Sequence, residues 1–235
     1  MKKLIIGITG LGVALVSMPM FAAFEAHVLN VTATIENALF VHPESLEYGT
    51  VFPQEYLETS FFITFSQSFS ASTQRRDRGV NYVIKQKPEC ITAAGTHPQV
   101  GEDANGNFVC PVGSTMMPLL CPYLSKHPDN FPSTGQNALN DTSIPAFHDP
   151  FATSSYALGR LVKFNANGST IGNDPSDTWT IDLAVPCFDG ECAQDWADFV
   201  HSHNPAADPA LYIADPADEH ELFGCDLWVE VTSIF

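Results

Sequence analysis

The sequence is poor in positive charge and has no long apolar segment beyond its first residues. Lysine and arginine together number 10 of 235 residues, against 27 aspartates and glutamates, which gives a formal net charge of −17. A chain this acidic repels phosphates, so we expect no nucleic-acid partner. No run after residue 23 approaches the roughly 20 apolar residues of a transmembrane helix, so no stable membrane span is expected there.

The common catalytic signatures are also missing. The sequence contains no G-x-S-x-G nucleophile elbow and no P-loop. The nearest approach to a zinc-protease motif is His220-Glu221-Leu222-Phe223-Gly224, where Gly224 stands in place of the second histidine that zinc requires. The sequence therefore predicts no catalytic residue and no certain cofactor.

Residues 1–23 have the layout of a secretory signal peptide. Two lysines precede an apolar run at Leu4–Val16, and small residues lead to a cut after Ala23. Bulky Phe21, at the third position before that cut, leaves an uncleaved anchor as the alternative. Cleavage predicts a secreted chain, extracellular or at the cell surface, that begins at Phe24.

All six cysteines lie after the leader, and their number is even. With an export signal, this predicts up to three disulfides formed in an oxidising compartment. Zinc is the less favoured reading, because no CxxC pair is present. The pairing of the cysteines is open among 15 arrangements. Cys187 and Cys192 flank a short turn, which permits a local bond between them. The candidates are Cys90, Cys110, Cys121, Cys187, Cys192 and Cys225.

Alternation of apolar and polar residues predicts about eight strands and one helix. The clearest strand places Phe61, Ile63 and Phe65 on one face. The helix is expected from about Cys192 to His201, and a hairpin-type turn at 165–168. Strands without strand–helix alternation predict an all-β fold, an antiparallel β-sandwich of jelly-roll or Greek-key type. Seven of the expected strands are 24–35, 46–51, 57–69, 80–85, 160–164, 178–185 and 227–235.

One stretch breaks this pattern. From about 88 to 155 the apolar periodicity is lost, and three of the six cysteines occur there. A long stretch without regular structure is unusual inside a compact domain. We therefore predict a single domain over 24–235 with a loop-rich insertion at about 88–155, held by disulfides rather than by a core of its own.

Two clusters of oxygen-bearing side chains fit calcium, which prefers carboxylate and carbonyl ligands from loops. Asp103, Asn105 and Asn107 alternate in one loop, and Asp174 and Asp177 lie close together in another. Asn, Asp and Gly are also ordinary turn residues. Calcium binding and simple turn chemistry are therefore both open readings.

A motif near the start of the mature chain resembles a known family. Leu46, Tyr48, Gly49, Val51 and Pro53 follow an export signal and an alternating strand. This order is similar to the TasA/camelysin-type family of secreted proteins and its archaeal relatives, which form bundling pili. The likeness covers about 24–86, while the cysteine-containing insertion departs from it.

The resemblance implies a jelly-roll fold, a cell-surface or matrix location, and assembly of identical copies into fibres by donor-strand exchange. The donor would carry Phe24, Ala26, Val28 and Val31, because an apolar strand at a free terminus is suited to complete a neighbour's sheet. The competing reading keeps residues 24–36 as a first strand within their own sheet. Some family members are catalogued as metallopeptidases, an activity that the incomplete zinc motif puts in doubt.

The sequence thus favours a structural subunit of an extracellular fibre, tube or biofilm matrix with itself as partner. A monomeric surface module that binds carbohydrate or protein is the first alternative, since jelly rolls host such sites. A secreted metal-dependent hydrolase is the second.

Overall fold

The computed structural model describes residues 36–71, 78–128, 141–163 and 174–235, and Glu36–Phe235 forms one compact unit. The expected strand at 24–35, with the donor residues Phe24, Ala26, Val28 and Val31, lies outside the described residues. The fold is mostly β, and every pair of strands is antiparallel. The strands are β1 Leu39–His42, β2 Tyr56–Phe65, β3 Gly79–Lys87, β4 Cys90–Thr92, β5 Gly101–Glu102, β6 Phe108–Val109, β7 Ser114–Met116, β8 His127–Pro128, β9 Ala157–Val162, β10 Ser176–Ala184 and β11 Asp226–Ile234; the helices are α1 Gln67–Ala71 and α2 Trp196–His203.

The described strands form two main sheets and two small two-stranded sheets. The first main sheet has the order β1-β2-β10-β8 and the second the order β11-β3-β9. The two-stranded sheets pair β4 with β7 and β5 with β6. Neither main sheet closes on itself, so β1 and β11 are both edge strands.

One hydrophobic core joins the two main sheets. Period-2 alternation turns Phe61 and Ile63 of β2 to the same interior as Trp179 and Ile181 of β10. The second sheet contributes Val80, Tyr82, Ile84 and Leu161, all at most 1% exposed. Burying one such side chain stabilises the fold by about 1.5–3 kcal/mol. The predicted inward faces of the central strands are therefore confirmed.

A second packing centre surrounds Phe147. Its ring contacts five other rings at centroid distances of 5.5–6.1 Å, and its side chain is fully buried. Edge-to-face arrangements of this kind add to the burial energy. The contacting rings are Tyr123, Trp196, Phe199, His203 and Tyr212.

The prediction of a strand at Leu46–Val51 is wrong. This segment is a loop in which Gly49 has φ +72°, a left-handed conformation that glycine tolerates. The Tyr48 hydroxyl donates a hydrogen bond to the Ile181 carbonyl at 2.8 Å, which ties the loop to β10. The segment therefore crosses towards another strand instead of pairing as one.

The strand expected at 57–69 ends early, because β2 stops at Phe65 and α1 follows. Ser66 accepts the Phe69 backbone N–H at 3.2 Å, which favours the start of a helix over continuation of the strand. The described residues thus contain two α-helices where one was predicted. The hairpin turn at 165–168 lies outside the described residues, and its flanking strands β9 and β10 belong to different sheets.

Residues 88–155 contain more regular structure and more core contacts than the sequence indicated. The short strands β4 to β8 lie there, and five side chains of this stretch belong to the main core: Tyr123, Leu124, Ile144, Ala146 and Phe147. All six cysteines form disulfides, paired as Cys90–Cys110, Cys121–Cys225 and Cys187–Cys192. The predicted local pair is confirmed, and the longest link ties the stretch to the start of β11.

The longer helix begins later than the sequence predicts. Cys192 is held in its disulfide, and α2 starts at Trp196 behind Asp195. Trp196 and Val200 are buried on the predicted face. In the part of the chain that the structure describes, no helix is long and apolar enough to cross a bilayer.

Candidate functional site

A groove of about 590 Å³ opens between the two main sheets. One wall is formed by Val41 of β1 and the following loop, and the other by Leu227 and Val229 of β11. Core side chains line its floor, since Phe61 and Ile181 are only 3% and 1% exposed. The groove therefore leads from the surface directly to the hydrophobic core.

Both walls of the groove include an edge strand. Among the strands that the structure describes, β1 pairs only with β2, and β11 pairs only with β3. An edge strand presents backbone N–H and C=O groups that a further strand is able to satisfy. β11 is nine residues long, and its last five residues are exposed. The groove thus combines an apolar floor with free backbone edges.

The wall at β11 is fixed by the segment that precedes Cys121. Leu120 N–H donates to the Gly224 carbonyl at 3.0 Å, and Gly224 N–H donates to the Pro118 carbonyl at 2.9 Å. The Cys121–Cys225 disulfide lies next to these two bonds. The start of β11 is therefore held in place by one covalent and two hydrogen bonds.

One end of the groove is acidic. The Oε1 atom of Glu89 lies 2.7 Å from the Nδ1 atom of His97, and the other carboxylate oxygen accepts the Cys225 backbone N–H at 3.1 Å. Burial, followed by the charge of Glu89, raises the pKa of Asp226 above its ordinary value. This end favours polar or positively charged groups, whereas the floor favours apolar side chains.

The first predicted calcium cluster forms a single turn. One Asp103 carboxylate oxygen accepts the backbone N–H groups of Asn105 and Asn107 at 2.8 and 2.9 Å, and the other accepts the Asn107 side-chain amide at 3.0 Å. These hydrogen bonds lower the pKa of Asp103. Its carboxylate therefore already stabilises the turn.

The second predicted cluster is divided between two roles. The backbone of Asp174 pairs with Val162, while the buried Asp177 carboxylate accepts a hydrogen bond from the Tyr82 hydroxyl. Trp179 in turn donates to that hydroxyl at 2.8 Å. Within the described ranges no group of three His, Cys, Asp or Glu residues is placed to hold a metal ion. Calcium binding stays a prediction.

Sequence reasoning missed the groove itself. Tyr48 was expected on a strand, and nothing in the sequence paired Cys121 with Cys225. The regular alternation of Leu227 and Val229 indicated that one face of the last strand is apolar, but not that the strand lies at an edge.

Comparison with protein-family models, with curated proteins and with solved structures found no match.

Proposed function

We propose that the protein is a secreted structural subunit of an extracellular fibre, tube or biofilm matrix, assembled by N-terminal donor-strand exchange. In this proposal the two sheets form a jelly-roll sandwich that is incomplete between β1 and β11. The N-terminal strand of a second copy completes it, with Phe24, Ala26 and Val28 turned to the groove floor. Three disulfides support a location outside the reducing cytosol.

The groove is the observation that carries this proposal. An opening between two edge strands, with core residues at its floor, offers apolar contacts and unpaired strand edges to an added strand. Residues 24–35 directly precede the described part of the chain, and as a strand they extend about 40 Å at 3.3 Å per residue. This length exceeds the roughly 30 Å of a nine-residue strand such as β11.

The charge and pattern of this segment also suit the groove. The alternating apolar residues match the floor, and the α-amino group that cleavage after Ala23 would create suits the acidic end at Glu89 and Asp226. The competing reading, in which residues 24–36 form a strand within their own sheet, yields a monomer. The test must therefore separate filling by a second copy from filling by the same copy.

Assembly of the chain that begins at Phe24 tests the proposal by electron microscopy and sedimentation velocity, with calcium and with chelator. We expect polymers whose amount rises with protein concentration. Val28→Asp should abolish them, because it places a charge against the apolar floor. His27→Asp adds the same charge to the opposite face of the strand and should leave assembly intact. A strict monomer in every condition, or equal assembly by both variants, contradicts the proposal.

A second matched pair of variants changes the groove itself. Both variants replace a valine of β11. Val229 lines the groove and Val231 lies outside it, 37% exposed. Val229→Asp should block assembly, while Val231→Asp should permit it. Urea denaturation of both variants checks that the Val229 variant is folded under the assembly conditions.

A monomeric binding module is the second candidate, because a groove of about 590 Å³ lies within the usual range of ligand pockets, roughly 300–1,000 Å³. The binding-module candidate predicts a monomer at all concentrations. It also predicts that the Val28→Asp variant sediments like the unaltered chain.

A further inference from the structure

A fully buried lysine lies at the edge of the four-stranded sheet. Lys126 has no solvent exposure, and its Nζ has no hydrogen-bond partner among the described residues. A charged amine without a partner is costly in a protein interior, and it lowers that cost by giving up its proton. Burial accordingly lowers the pKa of Lys126 to about 7.

The alternation of the chain explains why this amine is unpaired. The neighbouring side chains Ser125 and His127 both reach the Asp182 carboxylate of β10, at 2.8 and 3.2 Å. Successive side chains of an extended segment point to opposite faces. Lys126 therefore points away from the acid that its neighbours share.

A buried histidine accompanies this lysine. His148 is 7% exposed, and its Nε2 lies 2.8 Å from the Oε1 of Gln86. Gln86 is neutral and donates its amide to the Cys121 carbonyl at 3.1 Å. Burial, and then the charge of Lys126, lower the pKa of His148 to about 3, against smaller opposing effects of a backbone hydrogen bond with Pro145 and of the charge of Asp149.

Three acids of this region have other partners in the structure. The charges of Asp177 and Asp141 act on Tyr82, and the Asp182 carboxylate contacts Ser125 and His127. The charge of Lys126 acts on His148.

Both residues belong to one element, here called the strap: residues 121–128 together with 141–148. Its two halves are joined by reciprocal hydrogen bonds between Lys126 and Ile144, at 2.8 and 2.9 Å. The strap borders β10 through a bond from Ser125 N–H to the Asp182 carbonyl and through the short strand β8. Releasing the strap would bring both buried bases into water.

We propose that Lys126 and His148 form an acid-sensitive catch, in which proton uptake by these two buried groups drives the strap off the edge of the four-stranded sheet. The strap in place favours the neutral forms, and the released strap favours the charged forms. Lys126 opposes the closed strap increasingly as the pH falls from 10.5 to about 7. His148 does so as the pH falls from 6.5 to about 3.

The strap also contributes to the groove, because Leu124 lines it and Cys121 is bonded to Cys225 in its wall. Release of the strap would therefore change the groove, and this consequence for assembly rests on the proposed function. The acid-sensitive catch itself does not rest on the proposed function.

Hydrogen exchange of the disulfide-bonded protein, measured by mass spectrometry and corrected for intrinsic rates, tests the catch. We expect opening of the strap to rise by up to about tenfold per pH unit between pH 9 and 7, and again below pH 6.5. Lys126→Met should remove the first rise, and His148→Gln the second. Lys85→Met, on a half-buried lysine paired with Glu230, should change neither.

Strap exchange that does not depend on pH overturns the catch, as does an unchanged rise between pH 9 and 7 in Lys126→Met. An equal rise in β3, which is paired with a strand on each side, also contradicts it, because opening would then be global. The readout is exchange at low protein concentration, so a failure of assembly leaves this test unaffected.

Discussion

Removing the Cys121–Cys225 disulfide should destabilise the protein more than removing either of the others. A cross-link stabilises the folded state mainly by restricting the unfolded chain, and the effect grows with the length of the closed loop. The three bonds close loops of 104, 20 and 5 residues. The chain-entropy relation then gives losses of about 5, 3 and 2 kcal/mol in the free energy of unfolding.

Three double variants measure these losses: Cys121→Ser/Cys225→Ser, Cys90→Ser/Cys110→Ser and Cys187→Ser/Cys192→Ser. Urea denaturation at neutral pH, followed by the fluorescence of buried Trp179 and by circular dichroism, gives each free energy of unfolding. The shortest loop serves as the matched control, since its removal deletes the same atoms. A loss for that pair equal to or larger than the loss for Cys121–Cys225 would refute the reasoning.

Three further changes test the packing and the buried polar groups, each by urea denaturation. Phe147→Ala should lower the free energy of unfolding by about 3–5 kcal/mol, because it empties the centre of the second aromatic cluster. Tyr82→Phe should cost about 1–3 kcal/mol, since it removes the hydroxyl that donates to the buried Asp177 carboxylate. Lys126→Met should stabilise the protein by up to about 5 kcal/mol at pH 7 and below, because a fall of the lysine pKa from 10.5 to about 7 penalises the charged form. That gain should shrink as the pH rises and vanish above 10.5, so a gain that stays constant with pH would contradict the explanation.

The strands with long alternating patterns were predictable from the sequence. β2, β3, β10 and β11 were expected within a few residues, because two-faced burial leaves a period of two in the chain. Trp179, Ile181 and Leu183 are buried as that period requires. The burial of these positions depends on which face of their own strand is covered, and the period of two in the sequence follows from that alternation.

Pairing between strands was not predictable in the same way. β2 pairs with β10 more than a hundred residues later in the chain, and β9 is adjacent to β10 in sequence but lies in the other sheet. The edge position of β11, and hence the groove, follows from this long-range order. A period of two is the same in an edge strand and in a half-buried inner strand.

The burial of Lys126 and His148 was not predictable from the sequence for a different reason. Lys126 and His148 lie in a stretch without periodicity, where charged and polar residues are normally solvated. Their burial arises from the contacts of Phe147, Ile144 and Tyr123 with distant elements. Sequence reasoning assigned this stretch to loops because its apolar residues are few and irregularly spaced.

The central claim, that the N-terminal strand of one copy fills the groove of another, is tested most directly by disulfide trapping. The chain that begins at Phe24 receives Val28→Cys and Val229→Cys, is oxidised, and is separated by electrophoresis without reductant; each single variant serves as control. The account predicts a ladder of covalent multimers that requires both cysteines. A cross-link formed within single chains, or no cross-link between these positions, would contradict it.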